Sequence, residues 1–371
     1  MPSTFSFPTT TIFEVGARRE SRGWLAKLGS AHPLIVTDAG LAKTKAFALL
    51  ATSLDEMGAA VFSEVRPNPE ETDVEGAWHA YREHGCDAVI AFGGGSALDV
   101  GKAVRLRIKR PEKTLAQFEF AADWSGLAPL IAIPTTAGTG SEVGRSAVII
   151  LENRKRVIFH PALLASLVIL DPEFTRELPP KLTAATGADA LTHCIESFTS
   201  PVFHPLCDGI ALEGIHLIGS ALVRAVKDGN DLEARGRMQV AAAMGGIAFQ
   251  KDLGATHSLA HPLSALCGLH HGLANALCLP FVMDFNAERK PGVYRRVGIA
   301  LGLSDPTDAD TIAAVRALFA EIGLVPGLRA HGVDESKLDA LSDQAFADSC
   351  HATNPVPVTR EDLRSLYQHA L

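Results

Sequence analysis

The hydrophobic pattern of this 371-residue chain changes character near residue 178, and this change restricts the fold more than any other feature. Before that point, short β-branched apolar runs alternate with amphipathic stretches. Such alternation predicts helices packed around a parallel β-sheet, in which ligands bind at the carboxyl ends of the strands. The predicted strands include 33–37, 87–92 and 129–133, and the predicted helices include 40–57 and 72–84.

The second half of the chain follows a different period. From Pro179-Pro180 onward, apolar residues recur with the spacing of helices and no strand-like run interrupts them. We therefore expect an α/β domain over residues 1–178 and an all-α domain over 179–371. The Asp171-Pro172 junction and the run 177–180 are the expected hinge, and the cleft between the domains is where we expect cofactor and substrate to meet.

Composition excludes several classes of partner. The formal net charge of −8 argues against nucleic acid or an anionic membrane. We expect no membrane span, because charges interrupt the apolar runs before they reach about 18 residues, and no signal peptide, because the N-terminal sequence lacks a basic segment followed by an apolar one. The six cysteines form no CxxC pair, which is typical of reduced thiols and predicts a cytoplasmic protein.

A glycine-rich loop follows the second of these predicted strands. The loop Gly93-Gly94-Gly95-Ser96 leads directly into a helical stretch, so backbone N–H groups at the helix N-terminus are available to a phosphate. A tight turn without any ligand is an equally good interpretation of the glycines alone. The loop is not the usual dinucleotide fingerprint, because Leu98 stands where a third glycine belongs.

Two further features favour a dinucleotide. A second polar loop, 134–142, follows another apolar strand, and Thr135 and Thr136 suit close contact with a polar ligand. Asp38 ends the first of these strands, where a carboxylate can accept from ribose hydroxyls and repel a 2′-phosphate, favouring NAD over NADP. Because Asp38 precedes the glycine loop instead of following it, we expect a variant of the Rossmann-like domain.

The helical half carries spaced metal-binding side chains. Asp189 and His193 are four residues apart, as are His257 and His261, so each pair lies on one face of a helix. An isolated histidine is more often a surface or satisfied core residue. However, a carboxylate and several imidazoles buried in an apolar run require a partner, and a divalent cation provides one. Cys194 and Cys267 are alternative ligands.

Together these motifs resemble the iron-containing (group III) alcohol dehydrogenase family, whose fold is the dehydroquinate synthase-like architecture. The resemblance covers nearly the whole chain. It rests on 36–40, 67–69, the glycine loop with Asp99 and Lys102, 134–142, 185–196, His257-x-x-x-His261-Pro262 and His271-Gly272-x-x-Asn275-Ala276.

The resemblance implies a set of site residues. The metal ligands would be Asp189, His193, His257 and His271, with His271 favoured over His270 because it directly precedes Gly272. His261 would lie near the metal without binding it, and would relay a proton or hold the substrate. The implied cofactor is NAD, held by Asp38, Asn68, Gly94, Gly95, Ser96, Asp99, Thr135, Thr136 and Lys155. Members of the family form homodimers or larger homo-oligomers.

Several alternatives stay open at this point. One carboxylate and three imidazoles suit both Fe²⁺ and Zn²⁺. Affinity alone favours zinc, and only the resemblance favours iron. Segments such as 248–251 and 350–355 resemble the branch with the 4-hydroxybutyrate dehydrogenases, which implies a carboxylate-bearing substrate. Lys251 or Arg145 would bind that carboxylate, unless each forms a structural ion pair. Rival functions are a hydroxyacid-oxoacid transhydrogenase, a short-chain alcohol or diol dehydrogenase, a dehydroquinate synthase-like lyase and a metal-storage protein.

Overall fold

The computed structural model describes residues 7, 9–55, 57–152 and 154–371. These residues form two compact units. The first, called the α/β unit, contains residues 7–136 and 140–177, and the second, called the helical unit, contains 137–139 and 178–371. The short segment 137–139 groups with the helices because Gly138 packs against Thr186, where an added Cβ would lie 2.8 Å from the threonine Cβ.

The α/β unit is built on a six-stranded sheet in which all pairings are parallel. Its central strands are apolar on both faces, which is expected for a sheet covered on both sides. The strands are β1 (Thr11–Phe13), β2 (Pro33–Val36), β3 (Ala60–Phe62), β4 (Ala88–Gly93), β5 (Leu130–Pro134) and β8 (Leu167–Leu170), in the order β1-β8-β5-β4-β2-β3. The parallel sheet predicted from the sequence is confirmed.

Four helices connect these strands: α1 (Ser21–Lys27), α2 (Lys45–Ser53), α3 (Glu71–Glu83) and α4 (Gly95–Lys109). The predicted helix over 72–84 corresponds to α3. The predicted helix over 40–57 is too long, because Thr44 is extended and its side chain caps α2 by accepting from the Phe47 N–H at 3.3 Å. Only a short 3₁₀ turn precedes that cap.

Residues 146–151 and 154–159 form the two strands of a β-hairpin. Strands β6 (Ser146–Leu151) and β7 (Arg154–Phe159) pair antiparallel as a separate two-stranded sheet. Sequence reasoning identified this stretch only as an apolar run broken by charges. Those charges lie at the turn and on the exposed strand β7, so they are compatible with strand structure.

The strand order reverses direction between β2 and β4. From β2 the chain continues outward to β3 and then returns past β2 to β4. The carboxyl ends of β2 and β4 therefore flank a topological switch point, the usual ligand position in open parallel sheets. Asp38 follows β2 at this edge, and the glycine loop 93–96 follows β4.

The helical unit contains nine α-helices within its described residues, and the all-α prediction for this half is confirmed. Two apolar cores hold it together, one centred on α5, α6, α7 and α11 and the other on α8, α9, α12 and α13. The helices are α5 (Pro180–Thr199), α6 (Pro205–Lys227), α7 (Leu232–Ala248), α8 (Ala255–Cys267), α9 (His271–Arg289), α10 (Arg295–Ala300), α11 (Asp308–Glu321), α12 (Leu338–Ala347) and α13 (Arg360–Ala370).

Helix α6 corrects one expectation. Within the part of the chain that the structure describes, it is the one helix long and apolar enough to cross a membrane, with a mean hydropathy of 1.5 over 18 residues. The expectation is corrected only in part: α6 passes by length and mean hydropathy, although Glu213 and Arg224 interrupt its apolar run as expected. Its apolar face nevertheless packs against α5 and α7, with Ile215, Ile218 and Leu222 fully buried. This packing is that of a core helix.

Candidate metal centre and cofactor loops

Helix α5 supplies two of the predicted ligands. Asp189 and His193 are one turn apart, and both are buried, with exposed fractions of 2% and 5%. The distance from His193 Nε2 to Asp189 Oδ1 is 4.0 Å. Close packing of α5 fixes this face, because the backbone of α7 approaches at Gly245, where an added Cβ would lie 3.0 Å from the His193 Cβ.

Helices α8 and α9 supply the other two. His257 lies in the first turn of α8, and His271 is the first residue of α9. Gly272 lets α9 approach α5 very closely, since a Cβ there would lie only 2.1 Å from the carbonyl oxygen of Ala185. This contact brings the His271 Nε2 to 3.5 Å from Asp189 Oδ1.

The four side chains converge on one point. Asp189, His193, His257 and His271 each offer a ligand atom, and these atoms all lie within 4.8 Å of one another. Burial opposes ionisation of Asp189, yet the three imidazoles and Asn275 lower its pKa below the ordinary value. Burial and the neighbouring imidazoles hold the pKa values of His257 and His271 well below the usual range. The cluster therefore favours an ionised Asp189 carboxylate beside neutral, lone-pair-bearing imidazoles of His257 and His271.

Glu196 and Asn275 support this cluster from outside it. Glu196 lies 2.5 Å from His257 Nδ1 and accepts the Thr256 backbone N–H at 2.7 Å, which orients the opposite nitrogen of His257 toward the centre. The Asn275 amide nitrogen donates to Asp189 Oδ1 at 2.8 Å and lies 3.2 Å from Nε2 of both His257 and His271. Sequence reasoning gave neither residue a role, although Glu196 falls two turns after Asp189 on the same helix.

The residues present fit a divalent cation. One carboxylate and three imidazoles are suitable ligands for Fe²⁺ or Zn²⁺. Among the described residues, the buried Nδ1 of His193 and Oδ1 of Asn275 have no hydrogen-bond partner, so the cluster is incompletely satisfied by protein groups alone. The alternative ligands Cys194 and Cys267 lie outside the cluster, as does the exposed His270.

His261 lies beside the cluster. Its ring stacks at 5.3 Å from the His271 ring, and its Nδ1 is 2.8 Å from Asp348 Oδ2. Asp348 is held in turn by the Ser258 hydroxyl and the Cys350 backbone N–H, each at 2.9 Å. Asp348 is a residue that sequence reasoning missed, because it is 87 positions from His261 and belongs to no local pattern.

In the α/β unit, the two loops predicted to bind a cofactor are adjacent. Gly94 is the N-cap of α4 and, among the described residues, no side chain caps this helix, which leaves N–H groups for an anion. The Thr135 N–H donates to the Gly93 carbonyl at 3.0 Å, and an added Cβ at Gly94 would lie 3.4 Å from the Thr136 methyl group. Gly95 begins α4 directly behind the cap.

Asn68 and Ser96 also lie at this edge. The Ser96 hydroxyl donates to the Pro67 carbonyl at 2.7 Å, which joins the loop after β3 to the start of α4, and Asn68 is exposed in that loop. At the end of β2, half-buried Asp38 accepts the N–H groups of Gly40 and Leu41 through Oδ1, both at 2.9 Å. The carboxylate is thus oriented by its own turn.

Asp99 and Lys155 are placed differently from the other predicted cofactor residues. Asp99 accepts from the Ser141 hydroxyl at 2.6 Å and from the Val148 N–H at 3.0 Å, and it pairs with Lys102 at 3.2 Å. Its Oδ1 therefore holds the 134–142 loop, and its Oδ2 holds strand β6. Lys155 is exposed on β7.

Lys251 and Arg145 are the two side chains that the sequence offered as partners of a substrate carboxylate. Lys251 is buried, pairs with Asp208 and donates to the Phe198 carbonyl at 3.3 Å. The structural ion pair is thus the correct interpretation of Lys251. Arg145 is half-buried next to β6, and its carbonyl oxygen accepts from the His160 N–H at 3.0 Å.

Comparison with known proteins agrees with this architecture. Residues 8–172 match the family model described as iron-containing alcohol dehydrogenase, and 183–371 match the C-terminal model of the Fe-containing alcohol dehydrogenase family. The chain therefore belongs to the iron-containing alcohol dehydrogenase family, and its four-donor cluster is a candidate metal centre. The protein is an oxidoreductase of the alcohol dehydrogenase type.

Particular relatives narrow the comparison. The chain is 41% identical to 4-hydroxybutyrate dehydrogenase of Cupriavidus necator over 93% of this chain and 94% of that one. It is 39% identical to the probable alcohol dehydrogenase EutG of Escherichia coli, over 99% of this chain and 94% of that relative. A 1,3-propanediol oxidoreductase structure superposes with a TM-score of 0.95 at 32% identity over all of both chains. The structure of sulfoacetaldehyde reductase from Bifidobacterium kashiwanohense in complex with NAD⁺ superposes with a TM-score of 0.92. The two chains are 29% identical, over 100% of this chain and 99% of that one.

Proposed function

We propose that this protein is a metal- and NAD-dependent alcohol dehydrogenase and aldehyde reductase acting on a small primary alcohol or ω-hydroxy acid. The observation that carries the proposal is the convergence of the ligand atoms of Asp189, His193, His257 and His271 within 4.8 Å. When bound, a divalent cation would polarise the substrate oxygen and nicotinamide would exchange hydride with the adjacent carbon.

The protein groups divide the remaining tasks. The four ligands hold the cation, and the buried Glu196 and Asn275 orient them. His261, held by Asp348, carries the proton between the substrate oxygen and solvent, which its partial exposure of 43% allows. In oxidation it accepts this proton, and in aldehyde reduction it donates one.

The proposed cofactor is NAD. The uncapped N-terminus of α4 suits the pyrophosphate, and the Asp38 carboxylate, across the switch point, suits ribose hydroxyls and disfavours a 2′-phosphate. A bound NAD⁺ in a structural relative supports this assignment. The proposed metal is Fe²⁺, in keeping with the family, with Zn²⁺ as the alternative that the ligand set also accepts. A cytoplasmic homo-oligomer stays a prediction.

The proposed substrate pair is 4-hydroxybutyrate and succinic semialdehyde, supported by the 41% identical relative. One observation favours a second candidate, an uncharged alcohol. Lys251, the lysine expected to bind a substrate carboxylate, is engaged by Asp208. The relative named probable alcohol dehydrogenase EutG is nearly as similar, at 39% identity.

A panel of aldehydes tests the proposal. The protein is reloaded anaerobically with Fe²⁺ or Zn²⁺, and NADH or NADPH oxidation is followed with succinic semialdehyde and with uncharged aldehydes of matched length. A strong preference for succinic semialdehyde with NADH supports the proposed pair. Activity on uncharged aldehydes alone selects the second candidate. Absence of turnover despite bound metal and NADH contradicts the dehydrogenase proposal, and activity without added free NAD selects the transhydrogenase.

A further inference from the structure

A second group of metal-binding side chains lies beside the four-donor centre. His261, Asp348 and Cys350 offer an imidazole nitrogen, a carboxylate oxygen and a thiol sulfur within 4.8 Å of one another. None of these three residues belongs to the four-donor centre. A mixed nitrogen, oxygen and sulfur set suits a borderline-soft divalent cation such as Zn²⁺ better than Mg²⁺ or Ca²⁺.

The three donor atoms lie within 4.8 Å of one another, so side-chain movements would let them reach a common cation. With Zn–N and Zn–S distances of about 2.1 and 2.3 Å, the donors of a tetrahedral site lie roughly 3–4 Å apart. His261 Nδ1 and Asp348 Oδ2 lie 2.8 Å apart because they share a hydrogen bond, so a cation between them requires only a small opening. Both side chains are partly exposed, by 43% and 22%, which gives a cation access.

Asp348 is already oriented for such a role. Its Oδ1 accepts from the Ser258 hydroxyl and the Cys350 backbone N–H, which leaves Oδ2 on the side of His261. Hydrogen bonds and the neighbouring imidazole outweigh the effect of burial and lower the pKa of Asp348, so the carboxylate is ionised. Burial and the neighbouring Asp348 carboxylate raise the pKa of the Cys350 thiol, so a bound cation would have to displace the thiol proton.

We propose that His261, Asp348 and Cys350 form a second, weaker site for Zn²⁺ or a cation of similar softness, and that occupation of this site inhibits turnover. The site is weaker because it has three protein ligands instead of four and must release protons to bind. Inhibition follows because the cation, bound between the two side chains, takes the place of the hydrogen bond between His261 Nδ1 and Asp348. The imidazole is then immobilised. That inhibitory part rests on the proton-carrying role of His261 in the proposed function.

Cadmium titration tests the site independently of turnover. Protein carrying one equivalent of Zn²⁺ is titrated with Cd²⁺, and the ultraviolet thiolate-to-cadmium charge-transfer band is recorded. The four-donor centre contains no thiolate, so exchange of its metal gives no band. We expect a band that saturates at one further equivalent in wild type and in Cys267→Ser, and no band in Cys350→Ser. No band in wild type, or an equal band in Cys350→Ser, would overturn the site.

Zinc inhibition tests the functional part. Cys350→Ser keeps a hydroxyl that can donate to Asp348, so we expect near-normal turnover at low zinc. Loss of a group that only supports a metal ligand typically lowers metal affinity by about 10- to 100-fold. Cys350 is proposed as a direct ligand, so half-inhibition of Cys350→Ser should require at least about tenfold more Zn²⁺ than half-inhibition of wild type. A cadmium band without zinc inhibition would overturn the inhibitory role. If the enzyme turns over no aldehyde, the proposed function fails while the cadmium band still decides the site.

Discussion

At His261, beside the four-donor centre, a single hydrogen bond fixes the tautomer of the imidazole. Its imidazole has two nitrogens with different roles, because Nδ1 lies against the Asp348 carboxylate at 2.8 Å. A neutral imidazole donates from only one nitrogen, so the carboxylate selects the tautomer that protonates Nδ1 and leaves Nε2 as the acceptor. This contact gives Asp348 a positioning role in the proposed mechanism.

The first prediction concerns that carboxylate. Replacing Asp348 with Asn preserves shape but removes the charge that fixes the tautomer, so we expect kcat to fall by about 10- to 100-fold. KM and metal content should change little. Steady-state kinetics with metal analysis measure all three. Asp343→Asn, at an exposed position on α12, is the matched control and should retain normal kcat. An unchanged kcat in Asp348→Asn would remove Asp348 from the mechanism.

The second prediction concerns Glu196. This buried carboxylate orients His257, and burial raises its pKa. In Glu196→Gln the neutral amide accepts less strongly from the imidazole, and we expect the affinity for Zn²⁺ to fall about 10- to 100-fold. Competition with a chromophoric chelator measures the affinity. Glu213→Gln, at an exposed position on α6, should bind zinc like wild type. Equal affinities for both variants would show that Glu196 has no such role.

At the scale of the elements, glycine contacts between helices decide whether the ligands meet. Gly272 is the closest of these, with the Ala185 carbonyl where a Cβ would stand. Gly272→Ala must push α9 away from α5, and His271 is the neighbouring residue. We expect loss of stoichiometric metal binding, measured by dialysis and metal analysis. Gly209→Ala is the control, because an added Cβ at this position of α6 meets no atom within 4 Å. This variant should bind one equivalent of metal. Stoichiometric metal binding by Gly272→Ala would contradict this account.

The start of the sheet offers a test that depends on pH. Asp87 precedes β4 and accepts from the N–H groups of Ala31 and His32, which precede β2, at 2.8 and 3.0 Å. Partial burial opposes its ionisation, but hydrogen bonds from Ser30, Ala31 and His32 lower its pKa. A lowered pKa in the folded state gives stability that is present above the unfolded value, about 4, and that is lost as pH falls through the folded value.

We therefore expect Asp87→Asn to reduce stability at pH 7 by about 1–2 kcal/mol, and thus Tm by a few degrees. The difference from wild type should narrow as pH falls below about 4. Thermal unfolding of both proteins, from pH 7 to below about pH 4, measures this difference in stability. A constant difference at all pH values would assign the effect to shape instead of charge.

Sequence reasoning located elements whose physical signal is local. β2, β4 and β5 were predicted within about a residue, because apolar runs buried on both faces stand out. β1 and β3 were missed because three residues are too short to carry a pattern, and β8, although as long as β2, was missed as well. The paired spacing of Asp189 and His193, or of His257 and His261, is visible because each pair shares a helix. The Asp208 partner of Lys251 was invisible, since 43 positions separate them and no periodicity links them.

At the scale of the whole molecule, the four ligands come from three helices of the helical unit, α5, α8 and α9. A bound cation therefore links segments that are far apart in sequence. Because a ligand that binds only the folded state stabilises it by mass action, the metal should raise the unfolding temperature of wild type. A protein that uses these residues only as a polar core would show no such coupling.

The measurement that tests the central claim most directly is the metal stoichiometry of wild type and His271→Ala after stripping and equilibrium dialysis against Zn²⁺. Circular dichroism of both stripped proteins controls for folding. We predict close to one equivalent in wild type, with restored NADH-linked turnover, and a large loss of both in a folded His271→Ala. Equal metal content and turnover in the two proteins would contradict the four-ligand centre.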